Sequence, residues 1–247
     1  MYQHFIVIAS SYSEGKRVGF HMTAPEGKLD TVFIQDILDR LQDINRDDVG
    51  IHSFTTDDST WESVLELDSF FEDVVVCEDF DEFEKILKSD LELSSIDIAK
   101  FFLAIQAISH LKLQKLIYLA YKKYLLKYKE QLFPEKIIAY SYGPVVEEVY
   151  QKFKKYGAAD IEIDDDAKYI IKDIHLPQAL GRMLLVKDSE KVIATLSEVI
   201  EEYGDLTAGE LVDLTHSVDG PWDSVFKPYQ NREITDEIII SHAKNER

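Results

Sequence analysis

The chain has 247 residues, 45% hydrophobic and 30% charged, which suits one large or two ordinary packed domains and excludes wholesale disorder. Its single cysteine, Cys77, excludes an internal disulfide framework and a multi-cysteine zinc site, and no window approaches the roughly eighteen uninterrupted apolar residues of a membrane-spanning helix. The net charge of −20 is unevenly placed: residues 1–93 carry 7 Lys+Arg against 22 Asp+Glu, a balance of −15, and residues 94–247 carry 20 against 25, a balance of −5.

An acidic surface repels phosphate backbones and attracts basic partners, so the composition argues against direct nucleic-acid binding by the first segment. Simple solubility explains the acidity equally well. The opening MYQHFIVIASSYSEG has an apolar run too short for a secretory signal and without a basic lead-in, so we expect a soluble, cytoplasmic protein.

The charge shift predicts a domain boundary in residues 88–95, dividing an acidic α+β domain (1–93) from a second domain (94–247). In the first, Phe5–Ala9 and Val18–Met22 read as a strand pair around the turn-forming Ser13-Glu14-Gly15. Asp30–Leu41 has the helical spacing of apolar residues, as do the shorter Trp61–Leu67 and Phe80–Leu87. Ile51–Phe54 and Val74–Cys77 read as short strands, with Cys77 expected to be a buried small hydrophobe.

The second domain reads as mainly helical. Ser94 with Asp97 is a capping-box start, and the helix behind it is apolar nearly all round, which implies burial on several sides. Leu111–Tyr128 places Leu113, Leu116, Ile117, Ala120, Tyr124 and Tyr128 on one stripe and Lys112, Lys115, Lys122, Lys123 and Lys127 on the other, a basic face read as solvated or, alternatively, as touching an acidic patch or RNA. Pro144, in Tyr142-Gly143-Pro144, is expected at the first position of a helix that Gly157 ends. Residues Ile161–Ile174 predict one β-hairpin around Asp164-Asp165-Asp166. Helices follow over Ser189–Tyr203, after the Thr207/Glu210 capping box, and from Thr235, with Gly220-Pro221-Trp222 in a loop.

Four of these segments, taken in order, carry a resemblance. Lys112-Leu113-Gln114-Lys115-Leu116-Ile117-Tyr118 resembles the "KLQKLLY" opening of the SocA-like (Panacea) antitoxin domain. Tyr142–Tyr150 is similar to its "YGPV" helix start, Phe153–Gly157 to the end of that same helix, and Leu214-Thr215-His216 with Pro221-Trp222 to its "LTH" and "PW" pair. The resemblance covers about residues 94–245 and departs from the family at the front, where some ninety acidic residues come first. It implies an antitoxin of a type II toxin–antitoxin system that neutralises a cognate toxin by direct protein contact, common in phages and mobile elements. One branch is similar to a proteolytic adaptor that delivers its toxin to a ClpXP-type protease.

Several residues have two readings. Tyr142, Gly143 and Pro144 form a recognition surface or a structural turn and cap; His216 is a base or ligand, or a histidine bonded to backbone at a helix end; Trp222 anchors the loop in the core or a partner at an interface. Asp164–Asp166 lacks the spacing of a calcium loop and reads as a solvated tip. No GxSxG, GxxxxGK[ST], GxGxxG or HExxH occurs, so no enzyme, cofactor or metal is expected.

The sequence therefore predicts an α+β protein whose candidate partner-binding residues are Lys112, Lys115, Tyr118, Tyr142, Gly143, Pro144, His216 and Trp222. The alternative function is a phage-encoded inhibitor or adaptor whose acidic first domain mimics nucleic acid to block a host nucleic-acid-binding protein. The identity of the toxin and the oligomeric state are not encoded in any motif.

Overall fold

The computed structural model describes residues 1–243 except 12–15, 45, 47, 78, 162–167 and 172–173; for 168–171 and 174–178 it describes the backbone. The fold is α+β, and the chain divides into two compact units, Met1–Leu91 and Glu92–Arg247.

The first unit is a four-stranded sheet in the order β3-β1-β2-β4, built from β1 (Tyr2–Ser11), β2 (Lys16–Pro25), β3 (Gly50–Thr56) and β4 (Val74–Cys77). β1 pairs antiparallel with β2 and β3, while β4 runs parallel to β2. The apolar run along β1 lacks a polar alternation because both of its faces are covered. Phe5, Val7 and Ala9 pack against α1 (Thr31–Asp43) and α3 (Phe80–Leu91), and Ile6 and Ile8 pack beside Val64 of α2 (Trp61–Leu67), Phe71 and Val74. Cys77 is buried, and Asp30 caps α1 through its carboxylate. The turn expected at Ser13–Gly15 lies outside the described residues.

The second unit is organised around one helix, α5 (His110–Tyr128), which is touched by α4 (Ser95–Ile105), β7 (Gly143–Val146), α6 (Glu147–Phe153), α8 (Ser189–Tyr203), α9 (Ala208–Thr215) and α11 (Asp236–Ala243). Surrounded in this way, α5 buries eleven consecutive or near-consecutive positions from Leu113 to Leu125, so its burial is not confined to one stripe. The capping boxes at Ser94/Asp97 and Thr207/Glu210 are both formed, satisfying the first free N–H groups of α4 and α9.

Four expectations need correction. Lys115 does not lie on a solvated face: it is fully buried, because β7 closes over that side of α5. Pro144 does not start a helix; it sits in β7, paired with β6 (Ile137–Tyr140) through a two-residue turn at Ser141-Tyr142, and α6 begins at Glu147. β7 is the edge of the sheet β11-β6-β7, with β11 at Arg232–Glu233, so the missing N–H of Pro144 breaks no ladder. Pro221, expected in a loop, is instead the residue that opens a helix, α10 (Pro221–Val225).

The hairpin expected over 161–174 is displaced. Ile161 pairs with Ile108 in the short ladder of β5 (Ile108–Ser109) and β8 (Asp160–Ile161), and the hairpin itself is β9 (Lys168–Ile171) with β10 (Ile174–Pro177). It leads into α7 (Gln178–Leu185), a helix the sequence did not suggest. Asp164–Asp166 lies outside the described residues. No helix among the described residues is long and apolar enough to cross a membrane.

Candidate functional site

The segments carrying the resemblance are separated by up to a hundred residues, and the fold brings them to one place in the second unit. Lys115 of α5 donates from Nζ to the Pro144 carbonyl at 3.0 Å. Its neighbour Gln114 holds the far end of β7 on both sides, donating to the Val146 carbonyl at 3.2 Å and accepting from the Val146 N–H at 2.8 Å. Gly143 has φ +99, and a Cβ there would stand 2.6 Å from Lys115 Nζ and 3.1 Å from His216 Nε2, so a glycine is required both for the backbone and for the approach of these two groups.

His216 caps the end of α9 and lies flat on the Trp222 indole, ring centroids 3.7 Å apart and 2° from parallel; Phe226 continues the stack at 4.5 Å. Trp222 is buried and donates from Nε1 to the Tyr140 carbonyl at 2.8 Å. The hairpin β6–β7 is thus pinned from α5 by Gln114 and Lys115, and from α10 by Trp222.

The electrostatics follow from burial. Taking the Lys115 ammonium out of water pushes its pKa down to about 7. His216 is held below the ordinary imidazole range by burial first and by Lys115 second, opposed in part by a hydrogen bond from its ring to the Tyr142 backbone. A neutral His216 that donates to that backbone leaves Nε2 as a buried lone pair without a hydrogen-bond partner, facing the Gly143 side of Lys115. His110 is lowered by burial and then by Lys115. The resulting cluster is a buried amine bordered by acceptors, with geometry suited to fixing backbone.

The sequence-predicted residues therefore take different places. Lys115, Gly143, Pro144 and Trp222 are buried and positional, Tyr118 is buried one turn along α5, and His216 is partly exposed. Tyr142 is 70% exposed at the hairpin tip. Lys112 donates to the Gly204 carbonyl at 2.6 Å, where it serves the end of α8. Sequence reasoning missed Gln114 and Tyr140. The signal for Gln114 was its place between Leu113 and Leu116, polar where the helix has no dry side to spare.

Beside the cluster opens a groove of about 560 Å³, lined among others by Tyr118, Leu119, Leu126, Leu214 and Pro221. Among the described residues no three His, Cys, Asp or Glu side chains are placed to hold a metal ion. In the first unit, His4 is buried between His21 (Nδ1 to Nε2, 2.8 Å) and Thr56 (Nε2 to Oγ1, 2.7 Å), and Thr56 continues to Ser63 at 2.8 Å.

Residues 113–223 match the family described as antitoxin SocA-like, Panacea domain. A stretch of 119 residues, 48% of this chain, is 30% identical to antitoxin SocA of Caulobacter vibrioides (strain NA1000 / CB15N). That stretch spans 60% of the relative's length. The SocA-like resemblance read from the motifs is therefore borne out, and no solved structure matches the chain.

Proposed function

We propose, starting from this likeness to the SocA-like Panacea domain, that the protein is a non-enzymatic antitoxin of a type II system whose second unit binds a toxin and neutralises it by direct contact. The observation that carries the reading is the convergence of Lys115, Gly143, Pro144, His216 and Trp222. The residues that resemble the family form one interlocked structural cluster, which supports reading them as one functional unit. Tyr142 is exposed and Lys112 and His216 are partly so, which makes these the members of the set able to touch a partner; the buried members hold the hairpin that carries Tyr142.

The test is co-expression with the product of the adjacent reading frame. That product should arrest growth alone and be rescued by this protein, and a neighbour that is harmless alone, or toxic without rescue, refutes the proposal. Delivery to a ClpXP-type protease is separated from simple blocking by the toxin's half-life with and without that protease.

A second reading concerns the first unit. Arg17 pairs with Asp73, Arg40 with Asp81 and Glu84, Arg46 with Asp48, and Lys88 with Glu84, so at least four of the seven basic residues before position 94 are already matched to carboxylates. The excess of acids over bases gives an outward field that suits a basic, nucleic-acid-handling surface, as in an inhibitor that imitates nucleic acid. Such a complex should weaken steeply with salt; one insensitive to salt rules this reading out.

A further inference from the structure

The groove beside the buried cluster has a lining unlike the rest of the chain. Its apolar contribution comes from Leu119, Leu126 and Leu214 together with Pro221, and its charged contribution is Lys122, Lys123 and Lys127, with no Asp or Glu among the described residues of the lining. Residues 94–247 hold more acids than bases, so a concavity lined by three lysines and no carboxylate runs against the composition around it. Leu214 is 44% exposed there, which leaves apolar surface uncovered.

The wall holding Leu214 and Pro221 is set by the motif cluster. Thr215 and Ser217 line the groove on either side of His216, whose stack on Trp222 fixes the end of α9 against the start of α10. Lys123 reaches Glu202 at 2.7 Å and Lys127 reaches Glu198 at 2.7 Å, both on α8. Partly exposed pairs of this kind are worth roughly 0–1 kcal/mol, so an incoming carboxylate that also buries apolar surface can exchange with them.

We infer that this groove seats an amphipathic segment of the toxin, with an apolar anchor against Leu119, Leu126 and Leu214 and flanking Asp or Glu side chains on Lys122, Lys123 and Lys127. The inference rests on the antitoxin reading above and adds where the partner docks and with what chemistry. Charge complementarity and the apolar lining favour an acidic peptide segment over a nucleic acid, whose binding would need a longer run of phosphate contacts than three lysines along two turns supply.

The experiment uses the full chain and the purified product of the adjacent reading frame, with affinity measured by calorimetry. Lys122→Glu and Leu214→Arg, both at solvent-accessible positions, should each weaken binding about tenfold or more, and the unaltered complex should weaken between about 0.1 and 0.5 M salt. Lys122→Gln and Leu214→Ser serve as milder variants, and circular dichroism with a thermal melt verifies that each is folded. If the unaltered protein binds and folded groove variants bind within about twofold of it, the docking site is overturned while the antitoxin reading stands. If a single-stranded oligonucleotide occupies the groove and displaces the partner, the acidic-segment chemistry is overturned. If the unaltered protein does not bind the neighbouring product at all, the antitoxin reading itself fails, and this inference with it.

Discussion

The Lys115 ammonium donates to the Pro144 carbonyl at 3.0 Å while the lysine is fully enclosed by protein. A buried cation held by a neutral carbonyl carries a desolvation cost that a carboxylate partner would offset. Burial lowers its pKa from the ordinary 10.5 to about 7. The unfolded chain therefore binds more protons than the folded one between those values, and stability rises with pH across that window.

From this we expect unfolding free energy to increase between pH 7 and pH 10 by an amount on the order of 4 kcal/mol attributable to Lys115. Denaturant titrations of the wild type and Lys115→Met should diverge in slope over the window, the variant being the flatter. Parallel curves would show that the folded lysine stays protonated across the window, with a pKa near that of the unfolded chain.

Gly143→Ala combines a positive φ with a Cβ placed 2.6 Å from Lys115 Nζ. Its cost should be about 2 kcal/mol or more, larger than a glycine-to-alanine change in ordinary backbone. Gly157→Ala, also at positive φ but with open space around its Cβ, is the control that isolates the collision: the two melts should differ, with Gly143→Ala the lower.

Gln114→Leu removes the side-chain partner of both the Val146 N–H and the Val146 C=O. Leaving a buried N–H and C=O unpaired costs about 2–4 kcal/mol together. Gln114→Glu keeps the acceptor for the Val146 N–H but loses the donor to its carbonyl. Equal stability of wild type and Gln114→Leu in guanidinium would mean that water replaces the amide.

In the first unit, His21 is lowered from 6.5 to about 4, by burial first and then by His4. At pH above 6.5 it is neutral in both states; below that the unfolded chain protonates first, so stability falls as pH drops from 6.5 toward 4. His21→Phe should blunt the acid loss in this window, read as melting temperature against pH. An unchanged acid limb would assign the loss to other groups.

Much of the architecture was legible from pattern. The β1 run, the α1 spacing and the Ser94 and Thr207 capping boxes are local signals, and each produced the element it implied. What misled was a position whose role depends on distant chain. Pro144 after Gly143 is equally compatible with a helix start and an edge strand, and the choice is made by pairing with Ile137–Tyr140, which no local rule contains. Lys115 reads as surface because lysines usually are; only the closure of β7 over α5 buries it. The site was legible as a set of motifs, and its geometry was not, since the His216–Trp222 stack and the Trp222–Tyr140 bond arise between segments that sequence spacing leaves unrelated.

Gln114 and Lys115 are adjacent on one helix, and both bond to the same short strand. Peeling that strand away would leave an ammonium and an amide without partners at once, so the hairpin has no inexpensive way to fray on its own. The Val146 amide should consequently exchange its proton for deuterium only when the whole second unit opens, making it a reporter of that unit's global unfolding.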